Sequence, residues 1–227
     1  MNYIKPGQCS CGSFSGIDGY HLQSQCLKSA QQKDNTHNNI RDVWYELGVA
    51  SGLRCNRENK SVFNQQGVLQ EGRMDVVFEC YDGSRPLYAD VTVTDARTLN
   101  MDEYANGRER VHAVGKAAEV AEKRKYTKYS CFEATNAIFL PLAVETGGLW
   151  PATTRKVFKN LIDRLQKKDG TPKHLLVAKW RAKICFAQFK TAARGLKIRS
   201  DAEDIRGQSV RDAEKAFDWQ MFERCKT

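Results

Sequence analysis

The chain has 227 residues, 41% of them hydrophobic, and 36 lysines and arginines against 27 aspartates and glutamates give a formal net charge of +9. This length and composition suit one packed globular domain with a small appendage, and no apolar run approaches the roughly 18–20 residues of a membrane span. The N-terminal residues lack the apolar core of a signal peptide, so the sequence predicts a soluble, intracellular protein. A net positive charge favours a polyanionic partner, and nucleic acid is the commonest such partner.

The first 35 residues are short of aliphatic side chains, so burial alone cannot hold a fold there. Three of the eight cysteines fall within this segment together with one histidine. Three thiolates and one imidazole form a natural tetrahedral shell for zinc, which predicts a structural knuckle. Two alternatives stay open: His37 as the fourth ligand in place of His21, or free cysteines in a tail. The predicted ligands are Cys9, Cys11, His21 and Cys26.

The segment after residue 35 opens with an amphipathic helix. Thr36 is a suitable N-cap residue, and apolar side chains follow it at helical spacing. Gly48 either ends this helix or is followed by a short extension to Ala50. The apolar positions are Ile40, Val43, Trp44 and Leu47.

A β-hairpin is predicted over residues 74–95, with strands at 74–80 and 87–94. Apolar and polar residues alternate along the second strand, which gives it two different faces. Asp75 in the first strand and Asp90 in the second are then expected on one exposed face, near the same end of the sheet.

The hairpin is followed by a predicted helix from about residue 102 to 131 and by an apolar run at 137–144 that reads as a buried strand. Strand, helix and strand in this order imply a right-handed crossover with parallel outer strands. The fold class is therefore α/β, with a mixed sheet flanked by helices.

Two further helices are predicted at 152–168 and 173–196, and the tail from about residue 200 reads as another amphipathic helix. The second of these helices is basic and aromatic. The predicted division of the chain is a zinc knuckle at 1–35, a core at 36–150 and a basic helical extension at 151–227.

Asp75 and Asp90 are candidate ligands of a divalent cation, because carboxylate oxygens on neighbouring strands suit a hard ion. Such an ion can activate water and neutralise charge on a phosphate, and a nearby lysine would assist. Lys125 and Lys128 interrupt an apolar stripe along the predicted crossover helix. Helical periodicity alone also allows a solvated basic helix end that complements the helix dipole.

Four short segments occur in an informative order. Together they resemble the restriction-like endonuclease domain of site-specific LINE retrotransposon proteins, over about residues 9–190. In that family a cysteine–histidine knuckle precedes a helix with the pattern His-Asn-x-Ile-x-Asp, which here is His37-Asn38-Asn39-Ile40-Arg41-Asp42. The four segments are Gly72-Arg73-Met74-Asp75-Val76, Ala89-Asp90-Val91-Thr92-Val93, Ala117-Ala118-Glu119 through Lys125, Lys128 and Tyr129, and Val144-Glu145-Thr146 with Gly148.

The resemblance implies a PD-(D/E)XK core that hydrolyses DNA phosphodiester bonds with Mg²⁺ or Mn²⁺. Asp75 and Asp90 match the two acids, although Met74 stands where the family name has proline. The family lysine is displaced from the strand to the helix and matches Lys125 and Lys128 jointly. Glu145 matches a family glutamate that either caps a turn or assists the site.

The resemblance also makes DNA the expected partner, with nuclear localisation inferred from that substrate, and leaves open a homodimer or association with a reverse transcriptase module. Glu46 on the first helix is a weaker metal-ligand candidate. Two other functions remain open: a nucleic-acid-binding module without catalysis, and an adaptor that uses its tail. The first would use the basic residues Lys173, His174, Lys179, Arg181, Lys183, Lys190, Arg194 and Lys197 with Trp180, which alternatively form a solvated helix face.

Overall fold

The computed structural model describes residues 7–8, 14–15, 30–62, 72–95 and 115–201, and the side chains of 33–62, 72–95 and 115–190. The chain divides into two compact units. One is Asp34–Gln188, and the other combines Met1–Lys33 with Phe189–Thr227. The first unit extends past residue 150, so the helices assigned by sequence to an extension belong largely to the core. The predicted tail helix lies outside the described residues apart from its first positions.

In the unit formed by the chain ends, two very short strands pair antiparallel: β1 (Gly7–Gln8) and β2 (Phe14–Ser15). Gly7 lies opposite Ser15 and Gln8 opposite Phe14.

The Asp34–Gln188 unit is an α/β structure built on a four-stranded mixed sheet. Its strands lie in the order β3-β4-β5-β6, antiparallel except for the parallel pair β5 and β6. The predicted parallel outer strands of the crossover are confirmed, since Leu87 to Thr94 pair in register with Ile138 to Glu145. The strands are β3 (Cys55–Asn59), β4 (Met74–Asp82), β5 (Arg85–Thr94) and β6 (Ile138–Glu145).

One face of the sheet carries the larger apolar core. Alternation in β5 directs Leu87, Ala89 and Val91 to this face. Three helices cover it with apolar stripes, and Trp44, Trp150 and Phe158 pack ring against ring among them. The helices are α1 (Ala30–Ala50), α3 (Ala152–Asp169) and α4 (Lys173–Asp201).

The opposite face is covered by α2 (Lys116–Lys128) and a 3₁₀ turn (Ser130–Ala134), over a smaller core. Tyr88 of β5 packs edge-on against Phe132 there, with ring centroids 5.3 Å apart. The α2 helix is shorter than predicted, because Gly115 at its N-cap has a left-handed φ of 84°. Residues 102–114 of the predicted helix lie outside the described residues.

The predicted start of α1 is wrong, and of the two predicted ends the extension to Ala50 is confirmed. The helix begins at Ala30, so Thr36 lies inside it and does not cap it. It continues past Gly48 and ends where Gly52 adopts a left-handed φ of 90°. Gly48 serves close packing instead, because a Cβ there would lie 2.5 Å from Cε1 of Phe78.

The predicted hairpin is present, with a tighter turn than expected. Both strands extend until only Gly83 and Ser84 separate them. Gly83 is the first of the two turn residues and has a positive φ of 62°, which fits the glycine preference at the first central position of a type II′ hairpin turn. Among the described residues, no helix is both long and apolar enough to cross a bilayer.

Candidate active site

Asp75 and Asp90 face each other across neighbouring strands. Val76 pairs with Ala89 and Val77 with Tyr88, and the same register places Asp75 opposite Asp90. Each residue is only 5% exposed, so the expectation of an exposed acidic face is wrong. The two carboxylates are buried because side chains from two helical segments cover them: His37 of α1 contacts Asp75, and Lys125 of α2 contacts Asp90.

Asp75 is held by two donors on the same oxygen. The backbone N–H of Val91 donates to its Oδ2 at 2.7 Å, and His37 Nε2 donates to the same atom at 2.9 Å. His37 Nε2 also lies 3.1 Å from the carbonyl oxygen of Val91. Because both neighbours of Nε2 are acceptors, this nitrogen must carry a proton. Asp75 is thus fixed to β5 and to α1 together.

Asp90 is held by two side chains of the α2 segment. The hydroxyl of Tyr129 donates to Oδ1 at 3.0 Å. Lys125 Nζ lies 2.7 Å from Oδ2 and forms an ion pair with it. That contact is not a well-directed hydrogen bond, and Oδ2 accepts none from the described residues although it is fully buried. Asp90 therefore keeps a buried oxygen that the Lys125 ammonium balances and that accepts no well-directed hydrogen bond from the described residues.

Three side chains of the site have raised pKa values: Asp90, His37 and Tyr129. Burial raises the pKa of Asp90, with Asp75 adding to this and Lys125 and Tyr129 opposing it. The hydrogen bond to Asp75 raises the pKa of His37 against the effect of its burial. Burial and the neighbouring Asp90 raise the pKa of Tyr129, which keeps its hydroxyl protonated as a donor. The site therefore combines two acids that repel each other with donors that hold them in place.

The structure separates the two lysines that sequence treated jointly. Lys125 is half-buried and contacts Asp90, whereas Lys128 is exposed and lies 4.8 Å from the centroid of the Tyr129 ring. The buried face of α2 is therefore rotated relative to the predicted stripe, so that Lys125 lies on it and Lys128 does not. Ala118, Glu122 and Tyr129 are its buried members, on the same face as Lys125.

The carboxylate pair meets the chemical requirements of a Mg²⁺ or Mn²⁺ site with few protein ligands. No group of three or more His, Cys, Asp or Glu side chains among the described residues is arranged to hold an ion. Magnesium commonly uses one or two carboxylates and completes its shell with water and substrate phosphate. The buried Asp90 Oδ2 without a hydrogen bond is the observation that fits such an ion.

Glu145 and Glu46, which the sequence offered as candidate site residues, make structural contacts instead. Glu145 is 2% exposed, and its Oε1 accepts hydrogen bonds from the backbone N–H of Ala117 and Ala118 at the start of α2. A carboxylate at this end satisfies free amides and suits the helix dipole. Glu46 forms a surface ion pair with Lys183 at 3.1 Å and does not reach the site. Neither contributes a ligand here.

Sequence reasoning missed the part played by His37 and left Tyr129 without a role. Helical spacing contained a signal for both. His37 precedes Ile40 by three positions and so extends the buried stripe of α1, and Tyr129 follows Lys125 by four positions. His37, the alternative zinc ligand, instead bonds Asp75. The predicted zinc ligands Cys9, Cys11, His21 and Cys26 lie outside the described residues, so the knuckle stays a prediction.

Comparison with known proteins gives no family for this chain. No protein-family model matches it, and no curated protein matches it either. The site must therefore be interpreted from its own geometry and chemistry.

Proposed function

We propose that the chain is a divalent-cation-dependent DNA endonuclease with a PD-(D/E)XK-like core. The observation that carries the proposal is the buried pair Asp75 and Asp90, opposite each other on β4 and β5, with Lys125 Nζ 2.7 Å from Asp90 Oδ2. Two acids that repel each other are unfavourable in a low-dielectric interior unless a cation balances them. Such a pair is a common arrangement at functional sites.

In this proposal Asp75 and Asp90 hold Mg²⁺ or Mn²⁺ through their carboxylate oxygens. When bound, the ion supplies a more acidic water and neutralises negative charge on the phosphate. Lys125 orients the attacking water or stabilises the charge that develops on the phosphate oxygens. Tyr129 keeps Asp90 in position through its hydroxyl, and the phosphodiester is hydrolysed to leave a 3′-hydroxyl.

The fold and the chain's charge support a nucleic-acid substrate. A mixed sheet with helices on both faces agrees with the core that the LINE endonuclease resemblance implies. The formal net charge of +9 favours a polyanion. Exposed basic residues lie on the α2 segment that supplies Lys125, among them Lys123, Arg124 and Lys128. They are suited to hold a phosphate backbone beside the carboxylates.

The alternative of a binding module without catalysis receives less support from α4. Trp180 is 5% exposed, so its ring is not available for stacking on a base. Lys183 pairs with Glu46, and Lys173 forms an ion pair with Asp163. His174, Lys179 and Arg181 remain exposed and could contact phosphates. They would serve DNA binding in the nuclease as well.

The proposal is tested by incubating the purified full chain with supercoiled plasmid in Mg²⁺, in Mn²⁺ and in EDTA. Nicking is expected with either metal and not with EDTA. Asp75→Ala and Asp90→Ala are expected to abolish it, and the control Asp82→Asn, at the exposed end of β4, to leave it unchanged. An absence of metal-dependent cleavage across single- and double-stranded DNA, with DNA binding intact, would establish the binding-module alternative instead.

Lys125 and Lys128 offer a matched pair for the same assay. Lys125→Met should lower the cleavage rate by about 100-fold or more, the usual cost of removing a group that stabilises developing charge. Lys128→Met should mainly weaken DNA binding, and this effect should diminish at higher salt. Equal losses of cleavage rate at saturating DNA would contradict the role given to Lys125.

A further inference from the structure

The His37–Asp42 segment of α1 is recognisable in the sequence but has no role in the proposed chemistry. In the structure it forms a connected set of polar contacts that ends on Asp75. The helix is anchored to the sheet by Ile40, which is fully buried in the larger core. The position of His37 relative to β4 and β5 is therefore set by apolar packing.

The first contact of this set is made by His37 itself. Its Nε2–H lies between Asp75 Oδ2 and the Val91 carbonyl oxygen, at 2.9 and 3.1 Å. The second donor to Asp75 Oδ2 is the Val91 backbone amide. Both described hydrogen bonds of Asp75 thus use Oδ2, and Oδ1 is the oxygen that they leave for a cation.

The other side of the imidazole is supported by Asn38 and Arg41. His37 Nδ1 lies 3.4 Å from Asn38 Oδ1, and Arg41 Nη1 donates to that same oxygen at 3.0 Å. Arg41 is 8% exposed, and its guanidinium is held by Asp42 at 3.0 and 2.9 Å and by an ion pair with Glu58 of β3. A buried guanidinium with several partners has little freedom to move.

We propose that His37 is the positioning residue of Asp75, and that Asn38 and Arg41 hold its ring. This inference rests on the proposed function, because it assigns to the helix the orientation of a metal ligand. A hydrogen-bonded carboxylate presents a fixed oxygen to the ion, whereas an unsupported one rotates and must be ordered on binding. Residues that orient a ligand in this way typically contribute 10–100-fold to metal affinity.

A purely structural histidine predicts a different result. The His37 side chain is 28% exposed, so a role confined to packing would lower stability slightly and leave metal affinity unchanged. His37→Gln keeps an N–H donor near the position of Nε2, while His37→Ala removes it. His174→Ala, at an exposed histidine of α4, is the matched control.

The test measures Mn²⁺ binding to the full chain by calorimetry, with the heat that remains in Asp90→Ala subtracted, alongside plasmid cleavage. His37→Ala should weaken Mn²⁺ binding by about 10-fold or more, and His37→Gln should recover most of the loss. His174→Ala should match the wild type in Mn²⁺ binding, the measurement for which it is the control. Arg41→Gln should weaken Mn²⁺ binding less than His37→Ala, because it acts through the ring.

Each outcome separates this inference from the proposed function. If the wild type binds Mn²⁺ and cuts DNA but His37→Ala binds Mn²⁺ equally well, the positioning role is wrong and the nuclease stands. Equal weakening in His37→Ala and His37→Gln would also overturn it, since the donor would then not matter. If the wild type shows no Mn²⁺ heat beyond Asp90→Ala, the metal site and this role are both refuted.

Discussion

The two faces of the central sheet are built on different principles. The face covered by α1, α3 and α4 carries the larger apolar core, and Leu161, Ile162 and Ile184 are at most 1% exposed there. The face covered by α2 has a smaller core and buries charge beside it, at Asp90 and Glu122. One buried oxygen of each accepts no hydrogen bond from the part of the chain that the structure describes. The first face supplies most of the apolar burial, and the second buries the carboxylates of the proposed site at a cost in stability.

The apolar face should show the largest loss of stability on truncation. Leu161→Ala removes a fully buried side chain from α3 and leaves a cavity. We expect the free energy of unfolding to fall by about 2–5 kcal/mol, measured by urea denaturation. Leu149→Ala, at a residue 39% exposed, is the control and should change it by less than about 0.5 kcal/mol. Similar losses in both variants would show that the larger core is not the main source of stability.

Gly48 tests how closely α1 approaches the sheet on this face. In Gly48→Ala the new Cβ would lie 2.5 Å from Cε1 of the buried Phe78 ring and 2.7 Å from Sγ of Cys55. We expect a loss of about 1–3 kcal/mol from overpacking, in spite of the better helix propensity of alanine.

Gly147→Ala is the control for that measurement, since a Cβ there meets nothing within 4 Å. Its unfolding free energy, measured in the same urea series, should stay close to that of the wild type. A stabilised Gly48→Ala variant would mean that the ring moves away at little cost and that the close approach does not constrain the helix.

The difference between the faces also explains what the sequence could predict. Period-two alternation in β5 and helical spacing in α1 report burial, so the hairpin, the crossover and the apolar core follow from pattern alone. Asp75 and Asp90 were placed together for the same reason. Their burial was missed, because it depends on side chains of α1 and α2 that reach them from distant positions in the chain.

The site partners lay beyond what spacing can resolve. Lys125 and Lys128 both fit a helical stripe, and only packing of α2 on the sheet decides which of them meets Asp90. His37 is 38 positions from Asp75 in the chain, and no local pattern links them. The end of α1 stayed open between Gly48 and Ala50 for a local reason: a glycine can end a helix or admit a close neighbour, as Gly52 and Gly48 show.

The smallest expected effect is a gain in the free energy of unfolding, and it concerns Asp90 on the face covered by α2. Burial raises the pKa of Asp90 above its ordinary 3.8, so the charged form is disfavoured in the folded protein. Wild-type stability is then greatest below pH 3.8 as far as Asp90 contributes, and that contribution is lost as pH rises through the folded-state pKa. Asp90→Asn removes this penalty.

In EDTA at neutral pH, we therefore expect Asp90→Asn to be more stable than the wild type, by on the order of 1 kcal/mol. The difference should vanish below pH 3.8, the ordinary pKa of the carboxyl. Urea denaturation at the two pH values measures the difference. A less stable Asp90→Asn at neutral pH would mean that the ion pair with Lys125 outweighs the cost of burial, so that Asp90 stabilises the fold on the α2 face.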